Sequence, residues 1–172
     1  YFDGLKSSIA TKIPAIYDLA QLGRELYLAT AGGIFTFNLD TEQFESIEPC
    51  PEIKGKRINR IAVSAGGEVW LAMVGDPATI VRTNIHFDNW QFYHELEFTA
   101  SSQTNTIYHL FIDKQGRLWT ATSASGMALY DEHSDQFRII KTESWMPHGI
   151  PSVIVTSLFQ DRGGKIWGTT RK

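Results

Sequence analysis

Ile107-Tyr108-His109-Leu110-Phe111-Ile112-Asp113-Lys114-Gln115-Gly116-Arg117-Leu118-Trp119-Thr120-Ala121-Thr122 carries the reading of the whole chain. Two short apolar runs flank a turn that opens on Asp and closes on Gly. That order suits a β-hairpin, because Gly takes the positive φ that the turn demands. A helix would need ten or more residues with 3.6 periodicity, and Gly116 interrupts before that length. The stretch recurs along the chain. Gly67-Glu68-Val69-Trp70, Gly116-Arg117-Leu118-Trp119 and Gly164-Lys165-Ile166-Trp167 share one pattern. Gly23-Arg24-Glu25-Leu26-Tyr27 is a looser copy, with one extra residue and Tyr in place of Trp. The aromatic positions 27, 70, 119 and 167 are separated by 43, 49 and 48 residues. Twelve residues before each Trp stands an aliphatic anchor, Ile58, Ile107 and Val155, with Ile13 as the first-copy counterpart fourteen before Tyr27. Three residues on comes another anchor: Ile16, Ile61, Leu110 and Leu158.

Each copy continues into further short runs. Gly33-Ile34-Phe35-Thr36-Phe37, Thr79-Ile80-Val81-Arg82 and Met127-Ala128-Leu129-Tyr130 read as a third strand. Phe44-Glu45-Ser46-Ile47, Trp90-Gln91-Phe92-Tyr93 and Phe137-Arg138-Ile139-Ile140 read as a fourth. The second strands lack clean alternation, so both of their faces are expected to be covered. Four antiparallel strands in a repeat of this length predict an all-β fold, a β-propeller whose blades stack face to face. A sandwich of independent hairpins would not need so regular a copy. Complete blades are expected at about residues 13–47, 58–96 and 107–140, with a partial blade at 153–172. That makes about three and a half blades in a single propeller segment. Three arrangements satisfy the count: a fragment of a longer protein, a compact four-bladed ring, or two copies completing one ring. The stop after the second strand of the last copy favours the fragment.

Composition removes several function classes. The chain has 172 residues, 42% hydrophobic and 20% charged, which is ordinary for a globular protein. Its formal charge of −3, without a clustered basic face, argues against nucleic acid as a partner. Cys50 is the single cysteine, so neither a disulfide framework nor a thiolate metal cage is expected. No apolar run has the length of a membrane span. The sequence holds no signal-peptide pattern, and a chain that opens on Tyr1 rather than methionine is expected to be a processed or excised piece. Gly163-Gly164-Lys165 is followed by Ile166 rather than Ser or Thr, and is expected to be a hairpin turn rather than a phosphate loop. The five histidines, at 86, 94, 109, 133 and 148, stand at no metal-ligand spacing, so no metal and no cofactor are expected. Asp40, Glu42, Asp131 and Asp135 fall in turns and are read as hairpin chemistry. A carbohydrate-active enzyme, which needs a convergent pair of acids, therefore ranks last among the functions considered. Tyr27, Trp70, Trp119 and Trp167 share one repeated position and are expected to pack blades rather than to stack on sugar.

The run from Ile107 through Asp113, Gly116, Leu118, Trp119 and Thr122 to Gly126, Met127, Tyr130 and Asp131 resembles the two-component regulator propeller repeat. Asp3-Gly4-Leu5 and His148-Gly149-Ile150-Pro151-Ser152 are similar to the lead-in of a blade in that family. The resemblance covers about residues 3–170, with departures at Tyr27 and from Met73 to Pro77. It implies a periplasmic or otherwise extracytoplasmic sensor region of a bacterial inner-membrane receptor. In such receptors a histidine kinase or diguanylate cyclase output lies beyond a membrane helix, so membrane contact would come only through downstream segments. It also implies a small ligand, carbohydrate-related for some members.

Binding residues are expected where copies differ while the frame stays constant. Between the first-strand anchors lie Pro14-Ala15, Asn59-Arg60, Tyr108-His109 and Thr156-Ser157. The first strand of a propeller blade lines the central channel, so one member of each pair is expected to look inward. The loops entering that strand, Lys54 to Arg57, Ser101 to Asn105 and Trp145 to His148, are varied and polar, as recognition loops on rigid scaffolds often are. Asn59, Arg60, Asn105, Tyr108, His109, Trp145 and His148 are accordingly the candidate ligand-binding residues. Gly75-Asp76-Pro77 replaces the usual entry of a third strand and is a candidate for a reshaped loop. The expected function is non-catalytic ligand sensing for signal transduction. A protein-interaction scaffold, including a homodimer that completes a ring, is the alternative.

Overall fold

The computed structural model describes residues 13–74, 79–93, 106–140 and 152–171. Among them the chain is all strand and turn, without helix. The first sheet holds β1 (Ile16–Leu22), β2 (Glu25–Thr30), β3 (Gly33–Asn38) and β4 (Gln43–Ser46). The second holds β5 (Ile58–Val63), β6 (Glu68–Met73), β7 (Thr79–Asn84) and β8 (Gln91–Tyr93). The third holds β9 (Ile107–Ile112), β10 (Leu118–Thr122), β11 (Met127–Asp131) and β12 (Gln136–Ile140). The fourth pairs β13 (Val155–Gln160) with β14 (Ile166–Thr170). Every sheet runs in sequence order with antiparallel neighbours, the meander of a propeller blade.

Face-to-face stacking explains strands that are apolar on both sides. In β6, Val69 and Leu71 enter a core shared with Tyr27, Ala29 and Ile34 of the first blade. Trp70 and Ala72, on the opposite face, enter a core shared with Ile107, Leu110 and Leu118 of the third. Trp70 is fully buried and meets Tyr130 edge-on at 4.7 Å between ring centroids. The third blade repeats the arrangement, with Ala121, Phe111 and Trp119 against Val155, Leu158 and Ile166 of the fourth. Ile53, in the connection from the first blade to the second, is buried in the core between those two blades.

The strand registers relocate the first-copy anchors. Ile16 pairs with Thr30, as Ile58 pairs with Met73, Ile107 with Thr122 and Val155 with Thr170. The counterparts of Ile58 and Ile61 are therefore Ile16 and Leu19, not Ile13 and Ile16. The cause is the first hairpin. Leu22 pairs directly with Glu25 around the two residues Gly23 and Arg24, so this inner strand sits closer to its aromatic residue than the others do. In the later blades the turns end on Gly67, Gly116 and Gly164, at φ of 83°, 81° and 86°. An L side chain is strained at those angles, which is why each copy keeps Gly there.

The hairpin Asp has a structural use in the third and fourth blades. Asp113 accepts hydrogen bonds from the backbone N–H groups of Gln115 (3.0 Å) and Arg117 (2.9 Å) and from the Trp119 indole (2.8 Å). Asp161 accepts from Lys165 N–H (3.0 Å) and the Trp167 indole (2.8 Å). In the second blade the work is divided: Ser64 accepts from Glu68 N–H, and Glu68 accepts from the Trp70 indole.

Candidate functional site

A register shift occurs at one place in each inner strand, between residues 16 and 18, 58 and 60, 107 and 109, and 155 and 157. A bulge there lets two successive side chains leave the strand on nearly the same side. The pairs so presented are Tyr17-Asp18, Asn59-Arg60, Tyr108-His109 and Thr156-Ser157. Three of these are the pairs singled out by their variation. The first differs: it is Tyr17-Asp18 rather than Pro14-Ala15, because of the shortened hairpin.

At three blades a residue of the pair reaches the inner strand of the next blade. Asp18 Oδ2 accepts the N–H of Ile61 at 3.1 Å. Asn59 donates from Nδ2 to the Ile107 carbonyl at 3.0 Å, and Arg60 donates from Nε to the Tyr108 carbonyl. His109 Nδ1 accepts the N–H of Leu158 at 3.1 Å. These copies vary because each junction solves one problem with different chemistry: a carboxylate, then an amide with a guanidinium, then an imidazole. His109 accepts through Nδ1, so the bond needs the neutral ring with its proton on Nε2. Burial lowers the His109 pKa, the Asp18 charge pulls it up and Arg60 pushes it down again; the net value lies below that of an ordinary histidine. Asp18, Arg60 and His109 thus form one electrostatic group across three adjacent inner strands.

The structure brings Asn59, Arg60, Tyr108 and His109 together on β5 and β9. Asn59 is buried, and its Oδ1 has no hydrogen-bond partner. Tyr108 and His109 are half-buried. In the loop before β5, the Arg57 guanidinium lies 4.0 Å over the Tyr17 ring, a cation–π contact. Asn105, Trp145 and His148, like Gly75-Asp76-Pro77, lie outside the described residues.

A second polar group, not foreseen from sequence, joins the second and third blades farther from the inner strands. Arg82 pairs with Glu68, donates to the Tyr130 hydroxyl at 2.9 Å, and lies over the rings of Trp70 and Tyr130. The hydroxyls of Tyr93 and Tyr130 both donate to Asp135 Oδ1, at 2.7 and 2.6 Å. Burial, with the hydrogen bonds to Tyr130 and Asp135, raises the Tyr93 pKa far above that of an ordinary phenol. A cleft of about 400 Å3 opens beside this group, lined in part by Glu68, Arg82, Arg117, Tyr130, His133 and Arg138. The sequence signal was Ser64. It stands where the third and fourth hairpins carry Asp, and this obliges Glu68 to serve the tryptophan. Among the described residues, no group of three or more His, Cys, Asp or Glu is placed to hold a metal ion.

Residues 101–124 match the family model of the two component regulator propeller. No curated protein matches the chain. Among solved structures it is similar to the extracellular domain of BT4673 from B. thetaiotaomicron, described as a one component or hybrid two component system. The TM-score is 0.54 at 15% identity, over 90% of this chain and 26% of that one. It is also similar to the β-propeller domain of Cps50 (Swd1) from Myceliophteria thermophila, with TM-score 0.58 at 16% identity, over 90% of this chain and 49% of that one. A third likeness is the WD40 β-propeller domain of Doa1, with TM-score 0.62 at 12% identity, over 91% of this chain and 48% of that one. The chain thus spans about a quarter of the BT4673 domain and about half of each of the other two. The stacked antiparallel sheets and these likenesses lead to one conclusion: the chain folds as an open segment of a β-propeller, within which residues 101–124 match the two component regulator propeller model.

Proposed function

We propose that this chain is the extracytoplasmic propeller portion of a bacterial signal-transduction receptor, non-catalytic in itself, and that it senses a small ligand at the inner-strand layer. The observation that carries the reading is the regulator propeller repeat at residues 101–124, set in a fold shared with the extracellular domain of BT4673. The position of the site is supported by Asn59 and Tyr108. They stand at neighbouring bulges, and Asn59 retains a buried acceptor without a partner. A buried carbonyl oxygen left unpaired is destabilising, so a ligand hydroxyl or N–H that reached it would gain a bond at little competing expense. Arg60 and His109 lie beside this position and link blades, so occupancy there would bear on blade packing. Signalling then requires that the ligand bind one packing arrangement more tightly than another.

The test is a thermal-shift screen of the chain against a panel of mono- and oligosaccharides, followed by titration of any that respond. Ligand at a hundred times its Kd stabilises by about 2.7 kcal/mol. For a chain of this size that is a rise of about 5–10 °C in Tm. Asn59→Ala and Tyr108→Phe are expected to abolish the rise. A response that survives both changes would place recognition elsewhere, and a panel without any response would refute the carbohydrate reading.

A further inference from the structure

The bulge in β9 ties three blades together through successive residues. Ile107 gives its carbonyl to Asn59, Tyr108 gives its carbonyl to Arg60, and His109 takes the N–H of Leu158. Two ties thus run back to the second blade and one runs forward to the fourth. The forward tie differs in kind from its counterpart nearer the start of the chain. Ile61 and Leu158 occupy equivalent places on β5 and β13, and each gives its N–H to a side chain of the blade before. Ile61 meets the Asp18 carboxylate at 3.1 Å, and Leu158 meets His109 Nδ1 at 3.1 Å. An imidazolium carries hydrogen on both nitrogens and has no acceptor, so no rotation of a protonated His109 keeps the bond to Leu158.

We propose that His109 is a proton-operated latch on the ligand site at Asn59 and Tyr108. The neutral ring holds the β9 bulge between the second and fourth blades, and protonation releases the forward tie and weakens ligand binding. The effect on binding rests on the site proposed above, whereas the latch itself does not. Among the fasteners Asp18, Arg60 and His109, histidine is the residue type that ordinarily titrates near neutral pH. The charged groups acting on the ring are Asp18 from β1, which favours the proton, and Arg60 from β5, which opposes it. Its own strand adds the Tyr108 phenol, while β10 and β13 carry no charged residue. Burial, with Arg60, outweighs Asp18 and puts the release on the acid side of an ordinary histidine. The release is local. Lys114 N–H still reaches Gln160 Oε1 at 2.8 Å, and Val155 and Leu158 stay packed against Phe111 and Trp119. Loosening therefore falls on the bulge that presents Tyr108 and receives Asn59. By reciprocity, a ligand that needs the bulge in place drives the His109 titration to lower pH by the factor that protonation costs its affinity.

Amide hydrogen exchange followed by NMR on the isotope-labelled chain, over about pH 5 to 8 and corrected for the intrinsic rate, reads the latch without any ligand. Protection of Leu158 N–H should be constant above the His109 titration and fall below it by up to about tenfold for each pH unit. Ile61 N–H is the internal control and should stay level. Imidazole nitrogen shifts should show the proton on Nε2 above the titration. Asn59→Ala, which cuts one backward tie without changing charge, should raise the pH at which His109 titrates, because the neutral ring's arrangement is then less firmly held. A level Leu158 profile, an Ile61 profile that falls together with it, or a titration unmoved by Asn59→Ala overturns the latch. A saccharide that binds at Asn59 and Tyr108 with equal affinity on both sides of the titration overturns the regulation and leaves sensing intact. A saccharide panel without any response refutes the site and with it the effect on binding, while the exchange data still decide the latch.

Discussion

Replacing Asp113 by Ala isolates what the repeated hairpin carboxylate contributes. Its side chain is fully buried and serves the N–H groups of Gln115 and Arg117, the Arg117 guanidinium and the Trp119 indole. Arg117 is half exposed and regains water when its partner is removed, so its ion pair counts for little. The two backbone donors and the indole lose a charged acceptor, at about 1 kcal/mol or more each. A loss of about 3 kcal/mol follows, read as a fall of about 6–12 °C in Tm. Asp113→Asn should recover only part of it: its Oδ1 keeps the two backbone donors, while its N–H2 group faces the Trp119 indole and the Arg117 guanidinium. The internal control is Asp161→Ala. Asp161 makes the equivalent bonds in the fourth blade, but it is only half-buried and water can reach its partners there. Its loss should be much the smaller. Thermal unfolding followed by near-UV circular dichroism, where the tryptophans report, measures both variants. Equal losses, or an Asp113→Ala effect below about 1 kcal/mol, would refute the argument that burial gives this carboxylate its value. The pH dependence follows as well. Burial raises the Asp113 pKa, but the Trp119 and Arg117 hydrogen bonds outweigh it and hold the folded value below the usual one. The stability it confers is thus present above about pH 3.9 and is lost as pH falls through the folded pKa.

Trp70→Ala, which empties a fully buried site ringed by Tyr93, Tyr130 and Phe137, should cost about 3–5 kcal/mol in urea denaturation, whereas Trp167→Ala in the isolated chain should cost far less. His109 has a folded pKa below its unfolded one, so stability is complete above about pH 6.5 and declines as pH falls from there through the folded value. His109→Asn, which offers Leu158 N–H a non-titrating acceptor, should remove that part of the slope in Tm against pH, and an unchanged slope would exclude His109 as its source. Arg82→Met strips Glu68 and Tyr130 of their shared donor and should destabilise by about 1–2 kcal/mol in urea, with Arg82→Lys recovering only part of it because a point charge cannot address both at once.

The repeat was legible because Gly and Trp are constrained by different things that recur together. Gly116 and its counterparts hold a backbone angle, while Trp119 and its counterparts fill the space between sheets. Where one constraint relaxed, legibility failed. Tyr27 lacks an indole N–H and so has no need of a hairpin Asp. The first turn could then shorten to Gly23-Arg24, and the aliphatic spacing ahead of it pointed to Ile13 instead of Ile16. The variable pairs were visible as variable, but not their use. Arg60 and His109 bind backbone groups of the next blade, and a backbone N–H or carbonyl leaves no trace in the side chains opposite. The Arg82 group was hidden for another reason. Its members, from Glu68 to Asp135, come from four separate segments whose meeting depends on how two blades are set against each other.

Because Asp18, Arg60 and His109 fasten to main-chain groups, the blade they hold is free to change its side chains at those points. A duplicated blade inserted behind any of them would still present an inner-strand N–H and carbonyl at the required height. Mutational drift in one blade therefore does not force compensating drift in its neighbour, and the array can gain or lose units without redesigning a junction.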